Sequence, residues 1–178
     1  MRALVVYESM YGNTRRLAEA ITRGMGRVIP AQRANVNHVR AGDLEGVDLL
    51  VVGGPTHAHG MSRAATRTAA VAGASAALPL DADARGAGVR EWAAGVETAA
   101  TRFAAFGSRM DKPKWITGSA AAQLGHLLQG RGLTAVMPAE DFLVDGATRL
   151  PESEIERAEA WGAELAQSAS AVSLEHTD

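Results

Sequence analysis

The most constraining feature of this chain is the run Asp48-Leu49-Leu50-Val51-Val52, which stops abruptly at Gly53-Gly54-Pro55. A strand with one wet face alternates apolar and polar residues. This one does not, so it reads as a strand covered on both faces, the signature of a parallel sheet sandwiched by helices. Ala3 to Tyr7 is a second continuous apolar run. Between them Leu17, Ile21 and Met25 recur at i, i+4 and i+8 with Arg15, Arg16 and Glu19 on the outer face, an amphipathic helix that Asn13 is placed to cap. Gln32 to Val39 is a more polar strand, suited to an edge. Further along, the pattern predicts a helix over 63–77, a loop over 81–88, a helix over 89–98, a strand over 102–106 and a helix over 119–129. It then predicts a strand over 134–137, interrupted by Pro138 before Asp141 to Val144, and a final helix from Pro151 with Ile155, Ala158, Trp161 and Leu165 inward.

Five strand and five helix signals in alternation predict one α/β domain, a doubly wound parallel sheet, over residues 1–170, with 171–178 as a frayed tail. Composition narrows the chemistry. With Cys 0, the chain has no disulfide, thiol nucleophile or thiolate metal site. A net charge of −2 gives no basic stripe for nucleic acid, and the cations are nearly all arginine, since Lys112 and Lys114 are the only lysines. No run approaches the roughly 18 apolar residues of a membrane span, and the apolar stretch after Met1-Arg2 is too short for a signal peptide. The expected location is therefore cytoplasmic.

Right-handed crossovers bring the loops after the first, third and fourth strands to the sheet's carboxyl edge, where ligands bind in open α/β folds. The first loop reads Glu8-Ser9-Met10-Tyr11-Gly12-Asn13-Thr14 and opens directly into a helix. Backbone N–H groups at a helix N-terminus, a glycine and three hydroxyls suit a phosphate. An ordinary capped strand–helix turn is the alternative. The loop has neither the lysine of a nucleotide-triphosphate loop nor the three glycines of a dinucleotide fingerprint, so a monophosphate ester fits better.

Ser-x-x-Gly-Asn-Thr after the first strand resembles the FMN phosphate loop of the flavodoxin-like family, and Ser9-Met10-Tyr11-Gly12 is especially similar to its NAD(P)H:quinone oxidoreductase branch. The resemblance implies a sheet ordered 2-1-3-4-5 and noncovalent FMN, with Ser9, Tyr11, Gly12, Asn13 and Thr14 on the phosphate and Met10 within the same loop. The second loop, Gly53-Gly54-Pro55-Thr56-His57-Ala58-His59-Gly60-Met61-Ser62, resembles the branch's isoalloxazine-contacting loop, so Pro55, Thr56, His57, Ala58, His59 and Gly60 are candidate flavin contacts. The branch's usual aromatic is absent here, which leaves ring packing to His57 and His59. Those two are also the candidate proton donors. His-x-His could be half a metal site, but no acidic or third histidine partner stands nearby, so no metal is expected.

The third loop supplies Gly107, Ser108, Arg109 and Trp115. Trp115 could stack on the ring or act as a core lid, and Arg109 or Lys112 near the ring would favour negative charge on it. This loop has neither the tyrosine of typical flavodoxins nor the glycine-rich stretch of the quinone reductases. Strand one ends in a single Glu8 and strand three in Gly53-Gly54-Pro55, which lacks the acidic residues a phosphate-accepting receiver domain needs. Neither Ser62 nor Ser119 sits in a hydrolase elbow.

The expected protein is an FMN-binding redox protein acting as an oxidoreductase on a small-molecule electron donor or acceptor. The alternatives are an electron carrier fed by a partner reductase and a flavin-free scaffold. The Ala-rich stretch 62–88 is a candidate lid or homo-oligomer interface.

Overall fold

The computed structural model describes residues 1–98, 100 and 102–174. Its centre is a parallel sheet. Strand β1 (Ala3–Tyr7) pairs with β2 (Ala31–Asn35) on one side and β3 (Leu49–His57) on the other. Next comes β5 (Arg102–Met110), whose outer neighbour is a strand in two pieces, β6 (Thr134–Ala135) and β7 (Glu140–Val144). Counting β6 and β7 as one, the five parallel strands run β2-β1-β3-β5-β6/β7, the 2-1-3-4-5 order when numbered among themselves. A short strand β4 (Gly60–Met61) folds back antiparallel on the end of β3. Pro138 lies in the break between β6 and β7, where its missing N–H cannot serve the ladder.

Helices α1 (Asn13–Met25) and α6 (Glu152–Leu174) cover one face; α3 (Val89–Gly95) and α5 (Ala120–Gly130) cover the other. The side chains of β1 alternate between the two cores. Ala3, Val5 and Tyr7 join Leu17, Ile21, Trp161 and Leu165, while Leu4 and Val6 join Val89, Leu124 and Leu128. Each large apolar side chain so buried contributes about 1.5–3 kcal/mol. Where α1 crosses α6, a Cβ on Gly24 would lie 1.9 Å from the Glu159 carbonyl oxygen, and one on Gly162 would lie 2.3 Å from that of Ile21. Glycine on both helices lets the two backbones touch.

Several boundaries differ from the sequence reading. The cap of α1 is Gly12, in the left-handed region at φ +85°, not Asn13, whose amide is used elsewhere. The helix expected over 63–77 is α2 (Ala64–Ala72), which stops at Gly73 well before Pro79. Strand β5 runs on to Met110 because β7 supplies pairing partners from Phe106 onward. Helix α6 continues to Leu174, beyond the expected start of the tail, and residues 175–178 lie outside the described residues.

Candidate functional site

The loops after β1, β3 and β5 meet at the carboxyl edge around a cavity of about 390 Å³. Its polar end is built by the β1–α1 loop. Gly12 turns the chain sharply into α1, and its N–H donates to Ser9 Oγ at 3.1 Å. No side chain caps α1. Its first-turn N–H groups have no intrahelical acceptor and carry the positive end of the helix dipole. Around them lie three buried hydroxyls, Ser9, Thr14 and Ser108, with Thr14 Oγ1 and Ser108 Oγ 3.1 Å apart. The nearest cation, Arg15, is engaged by Asp81 and Glu19. An uncapped helix start ringed by buried hydroxyls fits a phosphate monoester, so the residues present suit the phosphate of FMN.

Asn13 and Tyr11 frame this end rather than fill it. Asn13 Nδ2 donates to the carbonyl of Thr148 at 2.7 Å, tying the loop to the turn before α6. Tyr11 Oη donates to the Ala70 carbonyl at 2.7 Å.

Pro55–Ala58 and Ser108–Met110 line the rest of the cavity. Thr56 Oγ1 accepts from the N–H of Ala120 at 3.1 Å, and its own O–H has no acceptor among the described residues. His57 is half-buried, and burial, reinforced by the Arg67 charge, holds its pKa below the ordinary value, although the facing Thr66 backbone opposes this. The turn that follows is strained: Ala58 (φ +43°) and His59 (φ +76°) occupy left-handed backbone without being glycine. Gln123 braces it, accepting from Met61 N at 3.0 Å, and His59 bridges to Gly118.

Two further placements refine the sequence reading. Gly53 and Gly54 do not leave space for a ligand: the Phe106 ring sits against Gly53 and Val89 against Gly54. Arg109 lines the cavity but spends its guanidinium on its own loop, donating from Nη1 to the carbonyls of Met110 (3.2 Å) and Lys112 (2.6 Å). Its Nε lies 3.5 Å from the buried Asp141 carboxylate, which also pairs with Lys114 at 3.0 Å.

Of the candidate residues, Ser9, Met10, Tyr11, Asn13, Thr14, Pro55, Thr56, His57, Ala58, Ser108 and Arg109 line one cavity. Gly12, Gly60 and Gly107 are buried just behind it. His59 is exposed. Trp115, on the short helix α4 (Lys114–Thr117), is 83% exposed and does not line the cavity. The structure adds Thr66, Ala69, Met110, Val144 and Thr148 to the walls. Met110 belongs to the end of a strand longer than the sequence pattern suggested, Val144 closes the expected Asp141–Val144 stretch, and Thr66 and Ala69 belong to the expected helix, which buries no apolar stripe. Among the described residues no group of three or more histidine, aspartate or glutamate side chains could hold a metal, and no helix is long and apolar enough to cross a membrane.

A doubly wound α/β sheet whose phosphate-type cradle opens into a cavity at the switch point defines a mononucleotide-binding class of protein. The flavodoxin family model matches residues 5–161, and the chain belongs to that family. Its members typically bind FMN, which makes this a flavodoxin-like FMN-binding electron-transfer protein. Among solved structures, it is similar to a flavodoxin from the domain Archaea (20% identity, TM-score 0.68, 96% of this chain and 99% of that one). It is also similar to a Streptococcus pneumoniae TIGR4 flavodoxin (20%, 0.62, 94% and 99%). A flavodiiron core from Synechocystis sp. PCC6803 matches at 17% identity and TM-score 0.64 over 97% of this chain but 36% of that one. No curated protein sequence matches the chain.

Proposed function

We propose that this chain is an FMN-dependent oxidoreductase that exchanges electrons with a small-molecule donor or acceptor. The observation that carries the reading is a single cavity whose walls ask for different chemistry. An uncapped helix start with buried Ser9, Thr14 and Ser108 suits a phosphate, and the loop after β3, with a half-buried His57, lines the same cavity. The FMN ring supplies the redox chemistry when bound. The chain's contribution is to seat the phosphate on the α1 N–H groups and the Ser9 and Thr14 hydroxyls, and to hold the ring between Pro55–Ala58 and Ser108–Met110. His57, neutral at pH 7 because burial disfavours its cation, stands where a proton can be exchanged with the ring edge or a second reactant. His59 is exposed and less well placed.

A carrier serving a partner reductase is the second reading. It is favoured by the exposed apolar side chains Met110, Trp115 and Ile116, of which Met110 forms part of the cavity wall.

The test is the visible spectrum of the purified protein before and after FMN addition, followed by anaerobic NADPH. Bleaching of a bound flavin by NADPH supports the oxidoreductase. A bound flavin untouched by NADPH supports the carrier. A protein that takes up no FMN overturns both.

A further inference from the structure

The cavity has a fourth side that its three loops do not supply. Thr66 and Ala69 of α2 line it beside the β1–α1 loop, whose Tyr11 reaches the same helix. Yet α2 is attached to the molecule unlike α1, α3, α5 and α6. None of its residues is buried, and none of Ala64 to Ala72 belongs to either core cluster. A helix normally stays put by burying an apolar stripe; this one is held by polar contacts near its two ends. At its N-terminal half Arg67 Nη1 donates to Ser62 Oγ and Glu91 Oε2, both at 3.1 Å, and the guanidinium packs so closely on Gly88 that a Cβ there would lie 2.0 Å from it. At its C-terminal half the Tyr11 hydroxyl reaches the Ala70 carbonyl. The chain is next fixed at Asp81, whose N–H donates to Met10 O at 2.8 Å.

We infer that α2 is a flap over the cofactor cavity, pivoting about Arg67 and latched by the Tyr11 hydroxyl, and that its release sets how fast the cofactor enters and leaves. Tyr11 is then a positioning residue, not a phosphate ligand. The stretch from 68 to 80, between the Arg67 and Asp81 anchors, is the part that swings, and it carries Ala69 of the cavity wall with it. The inference rests on the FMN reading for the cofactor's identity, but the flap itself does not.

The experiment compares the wild type with Tyr11→Phe, measuring association and dissociation of FMN and of riboflavin by flavin fluorescence in stopped flow. Hydrogen exchange of both proteins without flavin runs beside it. Loss of the latch raises both rate constants about fivefold, the factor one neutral hydrogen bond is worth, and does so equally for riboflavin, which has no phosphate. In exchange, the α2 amides of the wild type open faster than those of α5, and faster again in Tyr11→Phe with α5 unchanged. An effect confined to FMN would make Tyr11 a phosphate ligand and overturn the latch. Amides in α2 as protected as those in α5 would overturn the flap. If neither flavin binds, the functional reading fails and hydrogen exchange alone still decides whether α2 is a flap.

Discussion

Thr14 and Ser108 stand 94 residues apart in the chain, and their hydroxyl oxygens lie 3.1 Å apart, both buried at the polar end of the cavity. One belongs to the first turn of α1 and the other to β5, so the contact joins the phosphate-type loop to the strand that carries the opposite wall. Each hydroxyl has one hydrogen and spare lone pairs, so the pair can satisfy each other and still present a donor to an anion. With Ser108 donating to Thr14 and the Thr14 O–H turned to the phosphate, as proposed above, Thr14→Val keeps the shape and removes that donor. A hydrogen bond to a charged group contributes about 1.5–3 kcal/mol, so FMN affinity should fall at least tenfold by calorimetric titration while riboflavin affinity stays within about twofold. Equal losses for both flavins would place the phosphate elsewhere.

Glu8 gives a stability prediction with a definite sign. Its side chain is buried; one oxygen accepts from Ser62 Oγ (2.7 Å) and Val89 N (2.8 Å), and the other has no partner among the described residues. Burial pushes its pKa up, against the opposing pull of those hydrogen bonds and of Arg67. A carboxyl whose folded pKa lies above its unfolded value of 4.5 contributes stability below that value and loses it as pH rises through the folded one. Glu8→Gln mimics the protonated form. Urea unfolding should therefore show the variant gaining on the wild type between pH 4.5 and pH 8, with the smallest gap at the acid end. A gap that widens toward acid would mean that the ionised carboxylate is the favoured form.

The α1–α6 crossing separates two kinds of helical glycine. Gly162→Ala drives a methyl into the Ile21 backbone, which cannot move aside as a flexible side chain could. Overpacking costs about 1–3 kcal/mol or more, more than the roughly 1 kcal/mol of helix propensity gained. Gly125, in α5, has only Ala139 Cβ within reach, at 3.8 Å. Thermal unfolding should show Gly162→Ala destabilised and Gly125→Ala neutral or stabilised. Similar melting temperatures for the two would mean that the helices adjust at no cost.

Much of this was legible because its causes are local. An unbroken apolar run such as Leu49–Val52 can only be a covered strand, and a strand–loop–helix turn carrying Ser9, Gly12 and Thr14 makes an anion cradle from neighbouring residues. What escaped the sequence depends on partners far along the chain. The length of β5 is set by β7, the role of Gly53 by Phe106, and the charge of Arg109 is spent on Asp141. Helix α2 was expected, but which of its residues wall the cavity was not, because it buries no apolar stripe. A wall held by the Tyr11 hydroxyl and Arg67 leaves no periodicity to read.

His57 carries the last prediction. It lines the cavity half-buried, and burial outweighs the Thr66 backbone facing it, so its folded pKa lies below the ordinary 6.5. Between those two values the unfolded chain binds a proton that the folded chain refuses, so stability is present above about pH 6.5 and lost as pH falls through the folded value. His57→Gln removes this dependence. The stability difference between wild type and variant should be flat above about pH 7 and turn against the wild type on acidification, with the His57 ring resonances titrating below the ordinary value of 6.5 in NMR. A wild type that instead gains on the variant as acid is added would show that the folded cavity stabilises the imidazolium. His57 would then meet FMN as a cation and not as the neutral group proposed.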